Sequence, residues 1–154
     1  MQNTQYYPNR QSIRIKGFDY GSVGTYFITI CCHNRESLFG LIEKKQMVLN
    51  QHGVIVTNAW RELAVCNQHI RLDEFIVMPD HFHGLIHIKN CEKSKSIGRL
   101  VAAFKTVVCK SIRTQLQNPD IQIWQRNYWE RIIRSGLELT YVQQYIRNNP
   151  QQHL

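Results

Sequence analysis

The stretch IRLDEFIVMPDHFHGLIHIK, residues 70–89, decides the fold. Ile70 to Met78 and His81 to Lys89 are strand-forming runs separated only by Pro79-Asp80, so they predict an antiparallel hairpin. Successive side chains on a strand point to opposite faces. His81, His83, Leu85 and His87 therefore share one face, and Phe82, Ile86 and Ile88 the other. The apolar set can pack beneath helices while the imidazoles stay on an open face.

Upstream, Thr25 to His33 (TYFITICCH) is β-branched and aromatic and predicts a buried strand. Lys44 to Cys66 carries Val48, Val54, Ile55, Ala59, Leu63 and Val65 at spacings that predict a helix, with Gly53 as a break or kink. Downstream, Ile97, Leu100, Val101, Phe104, Val107, Val108 and Ile112 form a helical stripe within Ser96 to Gln115. Asn118-Pro119-Asp120 ends it. Ile121 to Trp124 and Tyr128 to Arg134 read as short extended segments, and Leu137 to Asn148 as a final helix stopped by Pro150. This order predicts an α+β domain, an antiparallel sheet with helices mainly on one face, and the ferredoxin-like arrangement is its simplest form.

A length of 154 residues suits one domain spanning 1–154. The first twenty residues read as an irregular basic arm with Arg10, Arg14 and Lys16 beside Tyr6 and Tyr7, which either follows a nucleic-acid backbone or covers an edge of the domain. Nineteen Lys and Arg against eleven Asp and Glu give a net charge of +8, which favours a polyanionic partner. Apolar runs such as Tyr26 to Cys32 are too short to span a bilayer, and residues 1–10 lack the apolar core of a signal peptide. A cytoplasmic, nucleoid-associated protein without a membrane partner is expected. Five cysteines and no C-x-x-C pair argue against a disulfide framework or a zinc–thiolate site.

The chemistry concentrates in two places. His81 and His83, one residue apart on a strand, can share a first-row cation, or simply decorate a solvent-facing strand. Gly84 removes a side chain where a nucleic-acid backbone could approach. His87 reads as a surface or phosphate-contacting residue, because four extended residues separate it from His83 by roughly 13 Å. On the last helix Tyr141, Tyr145 and Asn149 fall four residues apart. A phenol can attack a phosphodiester beside a cation, and a carboxamide one turn on can donate an oxygen to a hard divalent ion. Packing tyrosines and a helix-capping asparagine are the alternative reading. Arg99, Lys105, Lys110, Arg113, Arg126, Arg131 and Arg134 can hold phosphates. Trp124 reads as core, and Tyr128 as either core or a stacking platform for unpaired bases.

The ordered set Tyr26–Ile30 with His33-Asn34-Arg35, Val77–Gly84, Phe104-Lys105-Thr106, Trp124–Glu130 and Tyr145–Pro150 resembles the single-tyrosine HUH transposases, specifically the branch associated with repetitive extragenic palindromes (REP). The resemblance spans about residues 17 to 150. It implies His81 and His83 as the metal-binding pair with Phe82 between them, Tyr145 as the nucleophile that leaves a 5′-phosphotyrosine, and Asn149 as a third ligand to Mg²⁺ or Mn²⁺. It implies a single-stranded or hairpin DNA substrate and leaves a homodimer open; charge and stacking make Arg14, Lys16, Arg99, Lys105, Arg126, Tyr128, Arg131 and Arg134 the candidate contacts. Tyr141 has the spacing of a second tyrosine in two-tyrosine initiators and is assigned to packing or to a minor backup role. The rivals are a non-catalytic DNA hairpin binder, a small metal-dependent phosphodiesterase using water, and a sheet-based RNA-binding module.

Overall fold

The computed structural model describes residues 23–89 and 95–152. The elements are β1 (Gly24–Cys31), a 3-10 turn (His33–Arg35), β2 (Gly40–Glu43), β3 (Gln46–Leu49), α1 (Gln51–Cys66), β4 (Ile70–Val77), β5 (His81–Ile88), α2 (Ile97–Leu116), β6 (Trp129–Ile133) and α3 (Gly136–Gln152). One antiparallel sheet runs in the order β4-β5-β1-β6, and β2 and β3 pair separately. With that small hairpin set aside, the chain order is β-α-β-β-α-β, and the two strands central in space come first and third among the sheet strands. This is the ferredoxin-like arrangement that the sequence predicts.

Alternation along β5 sorts the two faces. Phe82, Ile86 and Ile88 join Tyr26, Ile28 and Ile30 of β1 beneath α1 and α2, in a core that includes Trp60, Leu63, Leu100, Phe104 and Val108. Its centre is aromatic, with Trp60 4.8 Å from Phe82 and 5.3 Å from Phe104 between ring centroids. Among the described residues the opposite face carries only α3, on a small cluster of Leu85, Val142 and Ile146 flanked by Phe27, Ile76, Ile133, Leu139 and Tyr145. Two of the three helices thus lie on one face, and the third covers the histidine face.

Several boundaries differ from expectation for identifiable reasons. Residues 44–49 are not helical. Lys44 and Lys45 adopt positive φ (48° and 62°) and close a two-residue β-hairpin, a geometry that Asn-Gly advertises and Lys-Lys does not. The helix starts at Gln51 because the Asn50 side chain caps it, accepting from the Gly53 amide at 3.0 Å. Gly53 is no kink; an added Cβ would lie 2.3 Å from the Phe39 carbonyl oxygen. The segment 121–124 contributes one bridge, Trp124 to Cys32, rather than a strand. The last helix runs through Pro150 to Gln152. Pro150, which has no amide to donate, lies in the last turn and is buried.

Gly84 also needs correction. It faces the core, and a Cβ there would stand 2.8 Å from Trp60 Cζ2 and 2.9 Å from Phe82 Cε1. Trp60, not a nucleic-acid backbone, makes the close approach. Gly84→Ala is therefore expected to lose about 1–3 kcal/mol in denaturant unfolding by overpacking. An unchanged midpoint would show that the aromatic cluster yields freely.

The basic arm of residues 1–20, with Arg14 and Lys16, lies outside the described residues. Among the described residues no helix is long and apolar enough to cross a membrane.

Candidate functional site

The β1–β5 register sets Thr29 opposite His83 and Cys31 opposite His81. Both histidines are buried, at 5% exposure for His81 and 1% for His83, and their ring centroids lie 4.7 Å apart. Each Nδ1 has a partner. That of His83 meets the Thr29 hydroxyl at 2.8 Å, and that of His81 meets Asp80 Oδ1 at 2.7 Å. Asp80 is itself paired with Arg35, Nε to Oδ2 at 3.0 Å.

His83 Nε2 is buried without a hydrogen-bond partner. A buried polar atom in that condition calls for an explanation, and a bound ion is one of the standard ones. Burial, with help from His81 and Arg35, holds the His83 imidazole well below its ordinary pKa and so keeps it neutral. Neutral imidazole is the form that ligates metal. The chemistry of these residues thus fits a cation bound through the Nε2 atoms.

The same shift has a stability consequence. Unfolded His83 takes a proton near pH 6.5, whereas folded His83 resists it to lower pH. Its contribution is complete above about pH 6.5 and is lost as pH falls below that value. Denaturation midpoints measured from pH 7.5 down to 5 should decline for the wild type and decline less for His83→Gln. Parallel curves would exclude His83 as the source.

Tyr145 reaches this pair from α3. Its half-buried ring stands edge-on to His83 at 5.5 Å and to Phe27 at 6.2 Å, and Phe27 stacks on His83 at 5.3 Å. Asn149, one turn further along α3, is buried at 6%. Tyr141 does not pack as expected, being 70% exposed. Residues four apart drift by about 40° around a helix. The buried side of α3 is centred on Val142, Ile146 and Asn149, which turns Tyr141 outward.

The expected DNA-contacting residues are dispersed. Lys105 Nζ donates to the carbonyls of Gln125 (2.7 Å) and Arg126 (3.2 Å), bracing the segment that bridges to Cys32. Arg131 pairs with Glu138 at 2.7 Å, and the Arg134 amide donates to the same carboxylate at 3.0 Å. The Tyr128 hydroxyl donates to Glu130 at 2.7 Å while its ring packs on the main core, and Trp124 lies in that core as expected. Arg99 and Arg126 are exposed. Lys105, Lys110, Arg113 and Arg126 line a groove of about 840 Å³ between α2 and residues 117–126, with no acidic residue in its walls.

Thr29, Asp80 and Phe27 were not anticipated at the site. Asp80 stands beside His81 in the quoted stretch but reads there only as turn chemistry. Thr29 shares a strand face with Phe27, which becomes informative only once β1 is known to pair with β5. Among the described residues no group of three or more His, Cys, Asp or Glu side chains is placed to hold a metal.

Comparison with known proteins agrees with this fold. The chain is 40% identical to an uncharacterized protein of Haemophilus influenzae, over 92% of this chain and 88% of the relative. Its fold resembles that of a REP-associated tyrosine transposase bound to a REP hairpin, with a TM-score of 0.67 and 22% identity over 93% of this chain and 74% of that one. A transposase candidate from Deinococcus radiodurans matches at a TM-score of 0.56 and 19% identity, over 88% of this chain and 95% of that one. Residues 23–149 match the family model for IS200-like transposases, and the chain belongs to that family.

Proposed function

We propose that this transposase cuts and rejoins single-stranded DNA beside a hairpin, with Tyr145 as nucleophile and Mg²⁺ or Mn²⁺ as cofactor. The observation that carries the reading is the Tyr145 ring set edge-on, at 5.5 Å, to a buried histidine whose Nε2 has no partner. The phenol oxygen attacks the phosphorus and gives up its proton. The bond from phosphorus to the 3′ oxygen breaks, and that oxygen takes a proton to become a free hydroxyl. A 5′-phosphotyrosine stores the bond, and reversal joins a strand without a nucleotide cofactor.

His81 and His83 would hold the ion, with the Asn149 carboxamide as third ligand, and the bound cation would supply positive charge to the phosphate under attack. With a metal on Nε2, Asp80 and Thr29 would accept the Nδ1–H bonds and so fix the orientation of each ring. Phe27 and α3 shield the rings from water. Since α3 docks on its own sheet, the reading has the tyrosine acting within its own chain. The hairpin carried by the REP-associated neighbour supports hairpin DNA as the substrate class.

The acid-free basic groove favours one rival, a hairpin binder without chemistry. The two separate on one gel. Incubation with single-stranded DNA carrying hairpins from the flanking genome should give a covalent band with Mg²⁺ or Mn²⁺ and none with EDTA. Binding without a band under either metal would leave only the binder.

A further inference from the structure

The third histidine of HFHGLIH is neither a metal ligand nor a surface contact. His87 is half-buried, and both its ring nitrogens are engaged within the fold. Nδ1 meets the Thr25 hydroxyl at 2.7 Å, and Nε2 meets Asp73 Oδ2 at 2.7 Å. Asp73 in turn accepts from the Gln143 carboxamide on α3, at 3.0 and 3.2 Å to its two oxygens. A hydrogen-bonded path therefore runs from β1 through β5 and β4 to the tyrosine helix.

A bulge makes this path possible. Leu72 pairs with Ile86 and Phe75 with Gly84, so three steps on β4 oppose two on β5. The added residue re-aims the strand. Phe75 still reaches the aromatic core, while Asp73 and Glu74 both turn to α3 and meet Gln143 and Arg147. Those two helix residues bracket Tyr145, two positions to either side. The Glu74–Arg147 pair is substantially exposed and contributes little. His87 and Asp73 are about 85% buried, at 15% and 13% side-chain exposure, so their charge-assisted bonds are the stronger link. Burial opposes ionisation of Asp73, yet hydrogen bonds from His87, the Glu74 amide and Gln143 hold its carboxyl below the ordinary carboxylate range.

We propose that His87, Asp73 and Gln143 are positioning residues that hold Tyr145 at its working distance from the His81–His83 pair. The apolar patch under α3 is small, and greasy contacts tolerate sliding. The polar path fixes the helix along the sheet. This inference rests on Tyr145 as the nucleophile only for its effect on rate; the docking of α3 is separately measurable.

The test is a cycle at pH 8. Gln143→Glu sets a second carboxylate against Asp73, and Asp73→Asn in the same chain returns a donor–acceptor pair. Gln143→Glu should slow covalent adduct formation on hairpin DNA by about 10- to 100-fold, since a displacement near 1 Å costs that much. It should also speed amide exchange in α3. Hairpin affinity should stay within about twofold of wild type, and the double variant should recover both lost properties. Gln143→Ala should give a smaller loss in the same direction. Wild-type rate and exchange in Gln143→Glu would overturn the proposal, as would a double variant no better than the single one. If wild-type protein forms no adduct, the nucleophile reading fails, and α3 exchange still decides for or against the path.

Discussion

Tyr145→Phe is expected to leave a folded protein that binds hairpin DNA and forms no covalent adduct. The substitution removes one oxygen and keeps the ring, so the edge-on contacts with His83 and Phe27 survive. The apolar patch of Leu85, Val142 and Ile146 is untouched. Stability should therefore move by no more than about 1 kcal/mol. Loss of a nucleophile is of another order, and the rate should fall on the order of 10⁴-fold or more. Tyr141 offers no substitute, because it is 70% exposed on the outward side of α3. Tyr141→Phe should cleave at nearly the wild-type rate. The nucleophile assignment is wrong if adduct persists in Tyr145→Phe and vanishes in Tyr141→Phe.

The second large effect is expected at His83. Its Nε2 is buried without a partner, as are the indole nitrogens of Trp60 and Trp124, and its Nδ1 is already held by Thr29. His83→Ala removes the ligand and leaves a cavity beneath Phe27, so some of its consequence is structural. His83→Gln keeps most of the volume and separates the two causes. Both variants should lose strand cleavage, and Mn²⁺ titration should show at least about 100-fold weaker binding, since even partners one shell out cost 10- to 100-fold. Hairpin affinity should persist, because the basic groove lies elsewhere. Full cleavage in either variant would remove the metal from the mechanism.

The alternation in HFHGLIHI was enough to assign each side chain of β5 to a face, because a strand on a two-sided sheet has no other option. The stripe on α2 was equally readable, with Val107 alone of its members exposed. What escaped were features set by partners distant in sequence. The Lys44-Lys45 turn carries none of the usual turn residues, so the β2–β3 hairpin vanished into a helical pattern. Gly84 shares a face with Phe82 by simple parity, yet its role becomes visible only when Trp60 is placed across from it. The bulge at Asp73-Glu74 has no local signature and decides where two acidic side chains point. At the site, the two histidines and Tyr145 could be named from spacing and resemblance. Thr29 and Asp80 needed the strand register.

The strict parity of β5 has a consequence for descent. Its even-numbered side chains answer to the aromatic core, while the chemistry proposed for His81 and His83 would lie on the far side. A lineage that exchanged His83 for a residue of similar volume, or lost the phenol oxygen, would still produce a well-formed domain. Copies silenced in that way would accumulate as intact proteins rather than as degraded ones, and would be available for recruitment to tasks that need no strand breakage.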